Sequence, residues 1–143
     1  MNSLLQTAGI VLDATASSVE GAVAVCGSLL LDLGAVDPEY PAAMWEREQI
    51  FPSVIGGGFA IPHGTDASRK HVLFDQLVFV RFSTPISWAD DQVNVAIGIA
   101  AAGDGHVEIL GNLAEILLEE ASANVLLSSP STEEIRSLLV KGI

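Results

Sequence analysis

The chain has 143 residues and a mass of 14.9 kDa, half of it is apolar, and its mean hydropathy is +0.47. That is one domain's length with ample material for a core, which excludes a disordered polymer. Only 6 Lys and Arg stand against 18 Asp and Glu, a formal charge of −12, so nucleic acid and anionic membrane surfaces are repelled and excluded as partners.

Along the chain, residues 1–12 lack the basic start and small-residue cleavage site of an export signal. A short strand is expected at 10–12. Ser17 with Glu20 three residues later forms a capping box, and Val19, Ala22, Val23, Cys26, Leu29, Leu30 and Leu33 then follow helical spacing up to Gly34. Cys26, the single cysteine, falls on the apolar face and reads as an inert core thiol. One cysteine and no export signal point to the cytoplasm. Asp37-Pro38 reads as the cap and first position of a second helix that runs to Arg47 or Glu48.

The longest uncharged stretch, 49–65, holds two prolines and four glycines and is no membrane-spanning helix. Within it a short strand is expected at 59–61. Longer strands are expected at 77–82 and 93–99, with Thr84-Pro85 and Ala89-Asp90-Asp91 breaking the chain between them. Asp104 is placed to cap a helix bearing Val107, Leu110, Leu113, Ala114 and Leu117. Ser131 with Glu134 caps a last helix bearing Ile135, Leu138 and Leu139. With no repeat or linker, residues 1–143 read as a single domain. Its architecture is a mixed β-sheet flanked by helices, an α/β (α+β) sandwich.

Chemistry concentrates in the middle. No Lys or Arg precedes Arg47, and Arg47, Arg69, Lys70 and Arg81 lie with His63 and His71 between 47 and 81. Solvated faces would explain this, and so would a segment that handles an anion. Gly56-Gly57-Gly58 is followed by a short apolar strand, then Pro62, His63, Gly64 and Thr65. This order presents an imidazole at a strand end, with Gly64 leaving room beside the ring, a Thr65 hydroxyl in reach and backbone N–H groups able to receive an anion. A neutral imidazole is a good nucleophile toward phosphorus. A transferring phosphoryl group needs donors around its oxygens, for which Arg47, Thr65 and His106 are candidates. His106 stands at an expected helix N-terminus, whose dipole favours an anion. The three histidines show no zinc spacing, and no hydrolase elbow, Walker loop or dinucleotide fingerprint is present.

Ala60-Ile61-Pro62-His63-Gly64-Thr65, with Glu48 upstream and Ile55-Gly56 between, resembles the active-site signature of enzyme IIA domains of the bacterial sugar phosphotransferase system, mannitol/fructose type. Phe59 departs from the aliphatic residue usual there. Tyr40, Ala43-Met44 and Arg47-Glu48 are similar to that family's preceding helix. Ile97-Gly98-Ile99-Ala100-Ala101 through His106 and Ile109 looks like its mannitol branch, while the nitrogen-regulatory branch shares the first motif. Near Arg47-Glu48 and Phe51-Pro52 the galactitol type is also similar.

The resemblance implies a phosphotransferase component with the mixed-sheet fold. His63 would take a phosphoryl group from the histidine phosphocarrier protein and give it to a cysteine of enzyme IIB, which works with a membrane-embedded enzyme IIC to move a sugar or polyol. Arg47 and His106 would be catalytic, Thr65 and Gly64 phosphoryl-binding, and no metal or organic cofactor is implied. The alternatives are a regulatory module of the nitrogen-regulatory type and a scaffold that has lost its chemistry. The second histidine favours transport over the former, and the intact His63 and Arg47 argue against the latter.

Overall fold

Alternation along the two central strands decides the architecture. In the computed structural model, which describes residues 4–103 and 105–141 and leaves the side chains of 105–107 and 141 outside its description, the sheet has five strands: β1 (Leu5–Ala14), β2 (Val54–Gly56), β3 (Phe59–Ala60), β4 (Gln76–Trp88) and β5 (Asp91–Ala100). Successive side chains of β4 and β5 point to opposite faces. Val78, Val80, Phe82, Ala96 and Ala100 join one apolar cluster, while Leu77, Phe79, Val95, Ile97 and Ile99 join another. A sheet apolar on both faces must be covered on both. Helices α1 (Val19–Asp32) and α2 (Tyr40–Ile50) pack on the first face through Ala22, Val23, Cys26, Leu30 and Met44. Helices α3 (Gly105–Leu118), α4 (Glu120–Ser128) and α5 (Thr132–Lys141) cover the second through Leu113, Leu126, Ile135 and Leu139.

The strand order is β1-β4-β5-β3-β2, with β1 parallel to β4, β4 antiparallel to β5, β3 parallel to β5, and β2 antiparallel to β3. The result is the expected mixed sheet between helices in a single domain. The tight β2–β3 turn is made by Gly56, Gly57 and Gly58 at φ of 93°, 67° and 94°, a region other residues resist. A short 3-10 helix spans Asp66–His71. Among the described residues no helix is long and apolar enough to cross a membrane.

Several boundaries differ from expectation, each for a physical reason. Thr84-Pro85 does not break the chain: β4 runs through it to Trp88. The ladder changes register between Arg81 and Ile86, where a residue without an N–H is tolerated. The reversal falls at Ala89-Asp90, with Ala89 at φ 53°. The cap of α1 is Ser18, not Ser17; the Ser18 side chain accepts from the Gly21 N–H at 3.0 Å. Asp37 caps a turn rather than a helix, its carboxylate accepting from Glu39 N–H at 3.0 Å, so α2 begins at Tyr40 and extends to Ile50. For α5, Ser131 Oγ accepts from Glu134 N–H at 3.1 Å, as the sequence indicates. The expected cap Asp104 lies outside the described residues.

Much of the basic window is structural. Arg81 donates from Nη1 to the Ser129 carbonyl at 2.7 Å and from Nη2 to the Leu126 carbonyl at 2.5 Å, fastening β4 to the C-terminal end of α4. His71 is bracketed by Asp37 at 2.7 Å and Glu39 at 3.1 Å, and Arg69 pairs with Asp66 at 3.1 Å. Cys26 is fully buried, and burial, aided by the Glu48 charge, pushes its thiol up to about 12, so it stays protonated and inert.

The capping assignment is directly testable. Ser18→Ala should lower unfolding free energy by about 1 kcal/mol, the usual cost of a lost N-cap, whereas Ser17→Ala should leave it unchanged. Urea unfolding of the two variants checks this, and the opposite ranking would contradict it.

Candidate functional site

Beyond β3 the chain stays beside β5. The Pro62 carbonyl accepts from Ile99 N–H at 2.9 Å, and His63 forms a parallel bridge with Ile99. This carries the imidazole to the carboxyl end of a parallel strand pair, where open α/β sheets place ligands. The Tyr40 hydroxyl pins the loop there: it donates to the Ile99 carbonyl at 2.8 Å and accepts from Gly64 N–H at 2.9 Å. Gly64 is required by close approach, since a Cβ there would stand 2.6 Å from Tyr40 Cε1 and would collide with Ser68 Oγ.

His63 Nδ1 lies 2.8 Å from the Ile61 carbonyl. A carbonyl only accepts, so Nδ1 carries the proton and the lone pair of the neutral ring is on Nε2. Burial holds the imidazole below its ordinary pKa. The Ile61 hydrogen bond acts against this, the Arg47 charge adds to it, and Glu48 and Asp66 oppose it. Near neutral pH the ring is therefore uncharged.

Arg47, in the last turn of α2, donates from Nη1 to the Phe51 carbonyl at 2.6 Å, and its charge reaches the His63 ring. A guanidinium has further N–H donors beyond the one used here. Thr65 stands at the start of the 3-10 helix without a side-chain cap bond. It lines a hollow between that helix and α2 whose walls include Glu39 and Glu46. The Gly64 N–H, expected to receive an anion, is instead donated to Tyr40. His106 stands in the first turn of α3; its side chain lies outside the described residues. The structure thus holds His63 and Gly64 at the carboxyl end of β5, with the Arg47 charge reaching the His63 ring.

The sequence reading matched Glu48 and Tyr40 to family motifs without giving either a role. Glu48 is buried, at 6% exposure, and accepts from Ser53 N–H at 2.6 Å, Ser53 Oγ at 2.7 Å and Trp88 Nε1 at 3.0 Å. The signal for it is spacing: Tyr40, Met44 and Glu48 recur every four residues on the buried face of α2.

A family model described as "Phosphoenolpyruvate-dependent sugar phosphotransferase system, EIIA 2" matches residues 3–142. The chain belongs to this enzyme IIA family. It is therefore a phosphotransferase component, a carrier of phosphoryl groups. It is similar to the mannitol-specific phosphotransferase enzyme IIA component of Halalkalibacterium halodurans, at 36% identity over 96% of this chain and 94% of that protein. In structure it is similar to Escherichia coli enzyme IIA solved in complex with phosphorylated enzyme IIB, both of the mannitol type. The TM-score is 0.89 at 30% identity, covering 96% of this chain and 99% of that one. The nitrogen regulatory protein IIA-Ntr of Neisseria meningitidis shares the fold, with a TM-score of 0.79 at 24% identity over 95% of this chain and 96% of that one.

The depressed His63 pKa makes stability depend on pH with a definite sign. The unfolded chain, whose histidine titrates near its ordinary value of about 6.5, binds more protons than the folded chain in the window just below that value. Stability should therefore fall as pH drops below about 6.5, and His63→Gln should lessen that fall. Denaturant midpoints measured from pH 7.5 to about 5 check this; equal slopes for the two proteins would contradict it.

Proposed function

We propose that His63 is the phosphoryl-carrying residue, on Nε2, and that the chain works in mannitol or similar polyol uptake on the cytoplasmic side of the membrane. The observation that carries this is the His63 ring itself: neutral, its Nδ1–H given to Ile61, which puts the ring's lone pair on Nε2, with the Arg47 charge reaching it. The substrate class is supported by similarity to relatives named mannitol-specific across nearly their whole length.

The donor is the histidine phosphocarrier protein. The Nε2 lone pair attacks the donor's phosphorus, an N–P bond forms to His63, and the donor's N–P bond breaks, returning its imidazole. In the second step a cysteine thiolate of enzyme IIB attacks the same phosphorus. An S–P bond forms, the His63 N–P bond breaks, and the ring regains its lone pair with Nδ1 still protonated. That partner is supported by the Escherichia coli pair of enzyme IIA with phosphorylated enzyme IIB. Enzyme IIC then moves the polyol. Negative charge spreads over the equatorial oxygens during each transfer, and the roles proposed for Arg47, Thr65 and the His106 ring are to donate to those oxygens. Gly64 takes part chiefly by letting Tyr40 hold the loop close.

Incubation with phosphoenolpyruvate, enzyme I and the phosphocarrier protein, followed by peptide mapping, should place an acid-labile phosphoryl group on His63. A label on His71 or His106 instead would contradict the assignment. In the same assay Arg47→Lys keeps the charge but loses the planar fork. It should slow transfer about tenfold while keeping stability within roughly 1 kcal/mol; an unchanged rate would remove Arg47 from the site.

A further inference from the structure

The least economical group in the molecule is the Glu48 carboxylate. It is buried at 6% exposure, and among the described residues no cation pairs with it. It also sits in the last turn of α2, where the helix dipole disfavours negative charge. Burying a charge this way is costly unless every lone pair is answered. Here both oxygens are answered: Ser53 N–H and Trp88 Nε1 donate to one and Ser53 Oγ to the other. A neutral side chain could fill the space at lower cost, so the charge calls for a reason.

The hydrogen bonds lead to the imidazole. Glu48 holds Ser53; the Ser53 carbonyl accepts from Ile61 N–H at 3.0 Å; the Ile61 carbonyl accepts from His63 Nδ1 at 2.8 Å. The N–H and C=O of Ser53 belong to different peptide groups, so this line transmits position, not a proton. Neighbouring residues of α2 thereby divide the work. Arg47 grips the Phe51 carbonyl and its charge reaches the ring, while Glu48 grips Ser53 and through it the carbonyl that orients the ring.

We infer that Glu48 is a positioning residue for phosphoryl transfer, which fixes the tautomer and tilt of the His63 ring through Ser53 and Ile61. This rests on the reading of His63 as the phosphoryl carrier. A ring free to exchange tautomers would present a protonated, non-nucleophilic Nε2 for part of the time, and a tilted one would miss the in-line approach. Among the described residues, the charged groups whose fields reach the ring include Arg47 and Glu48 from α2 and Asp66 from the 3-10 helix.

The test uses the whole chain with 15N-labelled histidine. The tautomer of His63 is read by NMR without any phosphoryl donor; then single-turnover phosphorylation by the phosphorylated phosphocarrier protein and thermal melting are measured. Wild type should show the Nδ1–H tautomer. Glu48→Gln cannot accept from all its donors and carries no charge. It should mix the tautomers, slow phosphorylation about tenfold or more, and move the acid limb of the rate profile to lower pH. Ser53→Ala removes one strand of the grip and should mix the tautomers and slow transfer to a smaller degree. Trp88→Phe leaves both the charge and the Ser53 contact; it should lower the melting temperature with the wild-type tautomer. A Glu48→Gln protein that melts lower but keeps the wild-type tautomer and rate would overturn the inference. If that variant does not fold, Ser53→Ala with wild-type tautomer and rate would overturn it equally. A phosphoryl group found away from His63 would refute the underlying reading, whereas the tautomer measurement judges Glu48 independently of it.

Discussion

Ile99 is the residue where the sheet and the reactive loop become one object. Its N–H takes the Pro62 carbonyl as acceptor, its own carbonyl takes the Tyr40 hydroxyl, and that hydroxyl in turn receives the Gly64 N–H. His63 lies between these fixed points, so its backbone is held by the parallel ladder of β5 on one side and by α2 on the other. Remove that bridging and the loop would keep its sequence but lose its geometry. The neighbouring constraints follow from it: Gly64 because Tyr40 comes so close, Gly98 because a Cβ there would stand 2.7 Å from Val78 and 2.9 Å from Cys26, where α1 packs on the sheet.

The molecule carries a formal charge of −12 and yet handles anionic groups. The conflict is resolved locally. Burial keeps the reactive ring uncharged, Arg47 supplies positive charge at the ring, and the nearest buried carboxylate, Glu48, has its lone pairs turned into Ser53 and Trp88. The other histidine with described surroundings, His71, is spent on Asp37 and Glu39, and Arg69 on Asp66. The basic cluster between 47 and 81 is thus two populations. Arg81, Arg69 and His71 build the fold, and Arg47 and His63 are the two to which the proposed chemistry falls.

The sequence was legible where one physical signal dominates. The apolar runs at 77–82 and 93–99, the helical spacing after Val19 and the Ser131 cap all survive in the structure, and the glycine–proline–histidine order led to the loop. It was less legible where tertiary context chooses between equal local options. Ser17 and Ser18 both have a cap's chemistry, and packing selects Ser18. Thr84-Pro85 is a good breaker, but at a ladder irregularity it needs no N–H, so β4 continues. Helix α4 and strand β2 are short and carry no strong period of their own. The Gly64 N–H could be seen as a donor, but its engagement with a tyrosine 24 residues away could not be read from spacing. Glu48 stands in the signature and four residues from Met44, but its partner in the indole of Trp88, 40 residues on, could not be read from either.

The proton of the His63 ring is on Nδ1 because the Ile61 carbonyl holds it there, which leaves Nε2 as the position of the proposed N–P bond. NMR of the phosphorylated protein with 15N-labelled histidine measures this directly through the coupling between phosphorus and ring nitrogen. The account predicts phosphorus bonded to Nε2 of His63 with Nδ1 protonated. Phosphorus on Nδ1 would contradict it, because the Ile61 hydrogen bond would then have to break before every transfer.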